Sequence, residues 1–274
     1  MMFQYQGKTA LITGASGGIG AAFARALTAR GANVILVARS EGRLRALADE
    51  LARDHGVRAE AIAVDLTRED AARELRAAVD ARGLAVDLLI NNAGFGTYGP
   101  FETLAAERAG AEVALNVAAV VDLTHLFLPA MLAQGDGAVI NVASTSAFQP
   151  LPYMAVYGAT KAFVLSFSEA LWAECRGRGV RVLALCPGPT ATEFFDVVGT
   201  DDGVVGQRRT AAQVVTTALR ALERGRPSVV DGWANYLLAQ TPRLAPRGLV
   251  ARLAERVTRP RPTAPRQDTV AQHR

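Results

Sequence analysis

Short apolar runs alternate with amphipathic stretches over most of this chain. Lys8 to Thr13 is a strand-type run that passes through a group of glycines into an Ala-rich helix ending near Ala29. Asn33 to Ala38 ("NVILVA") is a second strand, with the helical stretch "EGRLRALADELARD" behind it. Arg58 to Val64 and Asp87 to Asn91 ("DLLIN") give a third and a fourth, separated by the helical "REDAARELRAAVDA". Two longer helices are predicted, over roughly Ala105 to Leu132 with a break and over Ala155 to Arg176. The strand "GAVINVAS" runs between them, and "VRVLALC" (Val180 to Cys186) follows. Regular alternation of strand and helix specifies βαβ units, hence an α/β fold with a doubly wound parallel sheet and helices on both faces. The strands are apolar throughout instead of alternating, as a sheet covered on both faces requires.

Half of the 274 residues are hydrophobic, enough for one large core. A single catalytic domain is expected over residues 1–225. The pattern then changes, and residues 226–258 read as a helical extension packed on that domain. Residues 259–274 are rich in Pro and Arg, almost without apolar content, and are expected to be disordered. Apolar runs are broken by polar residues and glycines before they reach the length of a membrane span, and the first residues lack a basic segment and a cleavage site. A cytoplasmic protein is expected. Cys175 and Cys186 have neither metal nor redox spacing and read as small buried hydrophobes. The formal charge of +4 is mild and much of the Arg excess lies after residue 243, which argues against nucleic-acid binding by the globular part. Within the extension, Leu244, Leu249, Leu253 and Val257 form an apolar stripe beside Arg243, Arg247, Arg252 and Arg256. Packing on the domain or at a subunit interface is the favoured reading, because Pro242 and Pro246 shorten any continuous helix. A basic amphipathic helix on a membrane surface is the other.

The first strand-to-helix turn reads "TGASGGIG", with Gly14, Gly18 and Gly20 around Ser16 and Ile19. A turn this tight needs backbone without Cβ, and it lets peptide N–H groups approach a pyrophosphate at a helix N-terminus. At the end of the second strand an acidic residue would hold an adenosine ribose 2′-hydroxyl, but this chain has Ala38 and Arg39. A guanidinium suits a 2′-phosphate, so NADP(H) is favoured over NAD(H). Asp65 in "VDLT" either accepts an adenine amino group or caps the next helix.

With these motifs in place the chain resembles the classical short-chain dehydrogenase/reductase family, over about Gly7 to Val198. "TGASGGIG" is similar to the family's coenzyme loop on its Rossmann-type sheet. "NNAG" (Asn91 to Gly94) resembles the motif that supports the sheet and the adenosine. The resemblance makes Asn116, Ser144, Tyr157 and Lys161 the catalytic set. It also implies cofactor contacts from Asp65 and Leu66, from Asn92, Ala93 and Gly94, from Tyr157 and Lys161, the lysine donating to the nicotinamide ribose hydroxyls, and from Pro187, Gly188 and Thr192 in "CPGPTATEF". Gly17 stands where many NADP-preferring members carry a basic residue, which leaves Arg39 as the phosphate ligand.

Tyr157 and Lys161, in "VYGATK", are four residues apart and share a helix face, with only Gly, Ala and Thr between them. An unperturbed phenol lies about three pKa units too high for proton transfer at neutral pH, which is about 4 kcal/mol. A cation about 4 Å away at an effective dielectric of about 20 is worth a similar amount, so Lys161, helped by the positive nicotinamide of the oxidised cofactor, is expected to lower the phenol. Ser144 would donate to a carbonyl oxygen as charge builds there, while Tyr157 gives its proton. Asn116 would steady a relay water or satisfy a helix kink.

His55, His125 and His273 have no partner at ligand spacing, so no metal is expected. A hydrolase based on Ser144 lacks the G-x-S-x-G elbow and a placed histidine. A non-catalytic NADP-binding sensor on the same fold would be expected to lack one of Ser144, Tyr157 or Lys161. Pocket walls are assigned to Phe95, Tyr98, Phe148, Pro150, Tyr153 and Met154, and to the segment Thr190 to Val205. An apolar lining without a cationic clamp favours an aromatic, steroid-like or 3-oxoacyl ketone. "FFDVVGTDDGVVG" reads as a mobile lid. Phe163, Phe167 and Leu171 along one side of the long helix suggest a homodimer or homotetramer interface.

Overall fold

The computed structural model describes residues 3–194, 198 and 208–260. Six strands follow the expected order: β1 (Thr9–Thr13), β2 (Asn33–Ala38), β3 (Ala59–Ala63), β4 (Leu88–Asn91), β5 (Gly137–Val142) and β6 (Val180–Cys186). Two short strands, β7 (Thr190–Ala191) and β8 (Arg209–Thr210), pair only with each other. A last strand, β9 (Ser228–Val230), joins the edge of the main sheet beside β6. All its pairings are parallel, and the order is β3-β2-β1-β4-β5-β6-β9. The chain therefore runs outward from β1 in one direction and then from β4 in the other. The gap between the ends of β1 and β4 is where such sheets bind ligands.

The helices are α1 (Gly18–Thr28), α2 (Glu41–His55), α3 (Ala71–Asp80), α4 (Ala106–Val113), α5 (Ala119–Gln134), α6 (Ala155–Cys175), α7 (Ala211–Glu223), α8 (Trp233–Gln240) and α9 (Arg247–Thr258). One face of the sheet is covered by α1, α2 and α7 through Phe23, Leu27, Leu44 and Leu219. The other is covered by α3 and α5 through Leu75, Val79, Leu123 and Phe127. A buried polar chain ties the second face together. Asn91 donates to Asn141 (2.9 Å) and Thr124 (3.1 Å), and Asn141 donates to Ser168 on α6 (2.9 Å).

Three features differ from the sequence reading. β9 lies inside the stretch assigned to the helical extension, so the sheet continues past residue 225. In place of the expected break in the first of the two long helices there is a π-helical turn, Ala114–Ala118, within one continuous run. That run, Ala106–Gln134, is long and apolar enough by composition to cross a membrane. One face of it packs on the sheet through Leu123, Phe127 and Met131, and its Glu112 and Asn116 are buried.

Two of the contacts of the extension reach residues assigned to the pocket wall. Tyr98 donates to the Thr258 carbonyl (2.8 Å), and Tyr153 lies 3.5 Å from Glu255. Pro242 and Pro246 do divide α8 from α9, around a short 3-10 turn at Thr241–Leu244.

Candidate active site

The loop from β1 to α1 is held open from behind. Gly14 (φ 66°) and Gly18 (φ 53°) occupy left-handed backbone that a side chain would strain. A Cβ at Gly20 would run into the Gly14 carbonyl and the Asn92 amide. Asn92 donates to the carbonyls of Thr13 (2.8 Å) and Gly14 (3.3 Å). The Thr13 hydroxyl accepts from the N–H groups of Asn92 and Ala93, each at 2.9 Å. Asn92 and Ala93 thus brace the loop. No side chain caps α1, so its first N–H groups point into the cleft with Ser16 and Ile19 around them, a cradle that fits a pyrophosphate. A Cβ on Gly18 would lie 3.1 Å from the Thr192 methyl, which places Thr192 over the loop.

Arg39 is exposed at the exit of β2. Asp65 faces it from the end of β3. Burial works against the Asp65 charge, but two hydrogen bonds from Thr67 and the Arg39 and Arg68 guanidinium groups hold its pKa below the ordinary value. Asp65 accepts from the N–H (3.0 Å) and hydroxyl (2.8 Å) of Thr67 in a local turn. It does not cap α3, whose N-cap is Asp70. Leu66 sends its side chain into the core, so only its backbone can face a ligand. A second cation borders the loop. Arg43 pairs with Glu193 at 3.0 Å, and the Glu193 carboxylate passes 3.8 Å from where a Gly17 Cβ would be.

The four residues of the expected catalytic set converge. Ser144, Tyr157, Lys161 and Asn116 are all buried. Lys161 donates to the Val142 carbonyl (2.8 Å) and lies 5.8 Å from the centre of the Tyr157 ring. A Cβ on Gly94 would touch Asn116 Oδ1 at 2.8 Å and Lys161 Nζ at 3.4 Å. Asn116 sits in the π-helical turn and ties the loop to α6. It donates to the Phe95 carbonyl (2.9 Å) and Thr160 (3.1 Å) and accepts from the Phe95 N–H (3.2 Å). These bonds brace the Phe95 loop and α6 against the turn.

Burial acts against the expected lowering of the phenol. Burial pushes the Tyr157 phenol up to about 12, opposed by its hydrogen bond with Ser144 and aided by the Glu112 charge. Burial likewise brings Lys161 down to about 8, against the raising effects of Cys186 and Glu112. Lys161 does not pull the phenol down here. Phe194 lies against the phenol, its ring centre 5.3 Å from that of Tyr157. Gly96 leaves room for this contact, since a Cβ there would meet Met154, Tyr157 and Phe194 within 3.3 Å.

Glu112 escaped the sequence reading. It is fully buried one turn before Asn116, and its Oε2 accepts from both the N–H (3.1 Å) and the hydroxyl (2.7 Å) of buried Thr97. Its Oε1 has no hydrogen-bond partner among the described residues. Burial raises its pKa, with the Thr97 hydrogen bonds and the Lys161 and Arg108 charges acting the other way. Its spacing of four from Asn116 was the available signal.

Phe95, Tyr98, Pro150, Tyr153 and Met154 are half-buried around the pocket, and Tyr153 holds a left-handed backbone (φ 62°) that costs energy in a bulky residue. Phe148 packs against Ala143, Val164 and Cys186, so its role is core packing. Arg108 lies over the Phe95 ring at 5.2 Å, a cation on a wall expected to be wholly apolar. Pro187 accepts from the Thr145 N–H (2.9 Å), and Gly188 admits the close approach of Asn235. Apart from Phe194 and Val198, the expected lid lies outside the described residues. Among those residues no cluster able to hold a metal ion occurs.

A family model described as short chain dehydrogenase matches residues 8–203. A short chain dehydrogenase of Pseudocercospora fijiensis (strain CIRAD86) is 40% identical over 196 residues, 70% of this chain and 62% of that protein. This chain thus spans less than two thirds of that relative's length. The very-long-chain 3-oxoacyl-CoA reductase-A of Danio rerio is 31% identical over 256 residues, 91% of this chain and 80% of the relative. Among solved structures, a short-chain dehydrogenase from Sphingobium yanoikuyae in complex with NADPH matches with a TM-score of 0.77 at 35% identity, covering 88% of this chain and 94% of the other. With its sheet order, its glycine loop and the convergence of Ser144, Tyr157 and Lys161, this chain belongs to the short-chain dehydrogenase family.

Proposed function

We propose that the protein interconverts a ketone and a secondary alcohol on a lipophilic substrate, aromatic, steroid-like or 3-oxoacyl, with NADP(H). The convergence of Ser144, Tyr157 and Lys161 beneath Phe194 carries this reading. The loop from Gly14 to Gly20, Arg39, Asp65, the Asn92–Gly94 turn, Thr192 and Lys161 would hold the dinucleotide, which supplies or accepts a hydride when bound. Arg39 beside Asp65 supports the phosphorylated form, as does the NADPH named with the Sphingobium relative.

Reduction is the direction that the site's own groups favour. Ser144 donates to the carbonyl oxygen as negative charge builds, and Tyr157 delivers a proton. A phenol pushed up to about 12 is protonated at neutral pH, and an alkoxide is a far stronger base than its phenolate, so that transfer runs downhill. Oxidation needs the phenolate, which the same shift keeps scarce. The half-buried rings of Phe95 and Phe194 and the Met154 side chain support a lipophilic substrate. Similarity to a very-long-chain 3-oxoacyl-CoA reductase and to a 7beta-hydroxysteroid dehydrogenase points the same way. Phe163, exposed and stacked on Phe167 at 5.7 Å, supports α6 as a homodimer or homotetramer interface. The free, buried Cys175 and Cys186 support a cytoplasmic setting.

The test is NADPH consumption across aromatic, steroid-like and 3-oxoacyl ketones, with a ketose as contrast and Tyr157→Phe as control. Turnover confined to the ketose overturns the lipophilic reading. Undiminished turnover in the control overturns the mechanism.

A further inference from the structure

Eight of the eleven large hydrophobic side chains that stand exposed among the described residues fall within 233–257. Their arrangement on α9 is regular. Val250, Ala254 and Thr258 form its buried row. Leu249, Leu253 and Val257 each precede that row by one residue, so they are turned about 100° from it and lie exposed. Arg252 and Arg256 precede Leu253 and Val257 by one residue again, and flank the far side of the apolar row. On α8, Trp233, Tyr236 and Leu237 are exposed at i, i+3 and i+4.

The charge on this stretch has one sign. Residues 232–260 carry five arginines and a single carboxylate, Glu255, which is paired with Arg259. Residues 261–274 add Arg261, Arg266 and Arg274 against Asp268. A two-fold contact with a second copy would set these arginines against their own counterparts with no free carboxylate to offset them. A surface of phosphate headgroups over acyl chains complements both features. Leucine, valine and indole side chains enter the boundary, and guanidinium groups meet the phosphates. We propose that α8 and α9 dock this protein on an anionic phospholipid surface. The face adjoins the catalytic pocket, because the carbonyl of Thr258 at the end of α9 holds Tyr98 of the pocket wall. The proposal needs no particular substrate, and its test does not use turnover.

The experiment is co-sedimentation of the full chain with phosphatidylcholine vesicles, with and without phosphatidylglycerol, at low and high salt. Three proteins are compared: wild type, Arg252→Glu with Arg256→Glu, and Leu249→Ser with Leu253→Ser. Circular dichroism and Tm establish that each is folded, and sedimentation velocity gives its oligomeric state. The wild type should bind the anionic vesicles, weaken in salt, and bind pure phosphatidylcholine far less. Each double variant should lose at least about tenfold in partitioning. Exposed side chains are replaced, so folding should survive. If both variants unfold, Trp233→Ser on α8 carries the same expectation. No wild-type binding to anionic vesicles overturns the proposal, as do variants that sediment like the wild type. A leucine variant that dissociates a wild-type oligomer which itself ignores vesicles makes the face a subunit interface instead.

Discussion

Glu112 offers a test of whether the buried polar frame behind the active site works as its geometry requires. Glu112→Gln keeps the shape and an acceptor for Thr97 while removing the titration; Glu112→Leu removes the acceptor altogether. In the leucine variant the N–H and hydroxyl of Thr97, both buried, lose their partner. Each costs about 1–3 kcal/mol, so roughly 2–6 kcal/mol in all, against a typical stability of about 5–15 kcal/mol. The glutamine variant copies the protonated acid, so at low pH it should match the wild type. Burial raises the Glu112 pKa in the folded protein. Between the unfolded value, near 4.3, and that raised value, the native state binds the extra proton. Wild-type stability must then fall as pH rises through the window, by about 1.4 kcal/mol per pH unit, while Glu112→Gln escapes this loss. Denaturant unfolding of all three proteins from about pH 4 to 7 measures it. A wild-type slope identical to that of Glu112→Gln would refute the buried-acid reasoning, and a leucine variant as stable as the wild type would refute the role of Thr97.

Replacing Arg39 with Asp should shift kcat/KM from NADPH toward NADH; a wild type that already prefers NADH removes the argument from this position. Tyr157→Phe keeps the ring but loses the transferable proton, so ketone reduction should slow at least about a hundredfold with NADPH affinity retained, measured by fluorescence titration. Lys161 holds its proton only below about 8, so the reduction rate should decline through that region, and Lys161→Arg should abolish that limb because a guanidinium stays charged. The same depression makes folding more favourable as pH rises from about 8 toward the free-lysine value near 10.4, a trend that Lys161→Met should lose in unfolding measurements.

What could be read from the sequence was whatever depends on neighbours along the chain. β1, β2, β4, β5 and β6 are largely buried on both faces and therefore show as mostly apolar runs, whereas the edge strand β3 is half-buried and carries Glu60. Gly14, Gly18 and Gly20 are fixed by one tight turn, and Tyr157 and Lys161 by one turn of helix. β9 escaped because three half-buried residues at a sheet edge carry no such pattern. The Arg43–Glu193 pair joins residues 150 positions apart, which no local spacing reveals. Glu112 reads locally as one more charge in "AERAGAEV", and only the burial of the helix face it shares with Asn116 changes its meaning. The burial of Tyr157 was hidden for the same reason. Its distance from Lys161 follows from the helix, but the ring against it belongs to Phe194, on a different element.

Phe194 is therefore where the phenol's acidity can be changed without touching the catalytic residues. Its ring lies 5.3 Å from that of Tyr157, and burial is the main cause that lifts the phenol from 10.0 to about 12. Phe194→Ala opens that face to water and leaves Ser144, Lys161 and Glu112 in place, so the phenol should fall by at most about two units. Two units are about a hundredfold more phenolate at any pH below both values. Alcohol oxidation, which needs phenolate, should accelerate by up to that factor at fixed alkaline pH, with its midpoint moving down toward 10. Reduction at neutral pH should change far less, because the phenol is protonated in both proteins. Full pH profiles of kcat in the two directions separate these effects. An oxidation midpoint that stays put in Phe194→Ala, or moves up, would show that the cover on Tyr157 does not set its acidity.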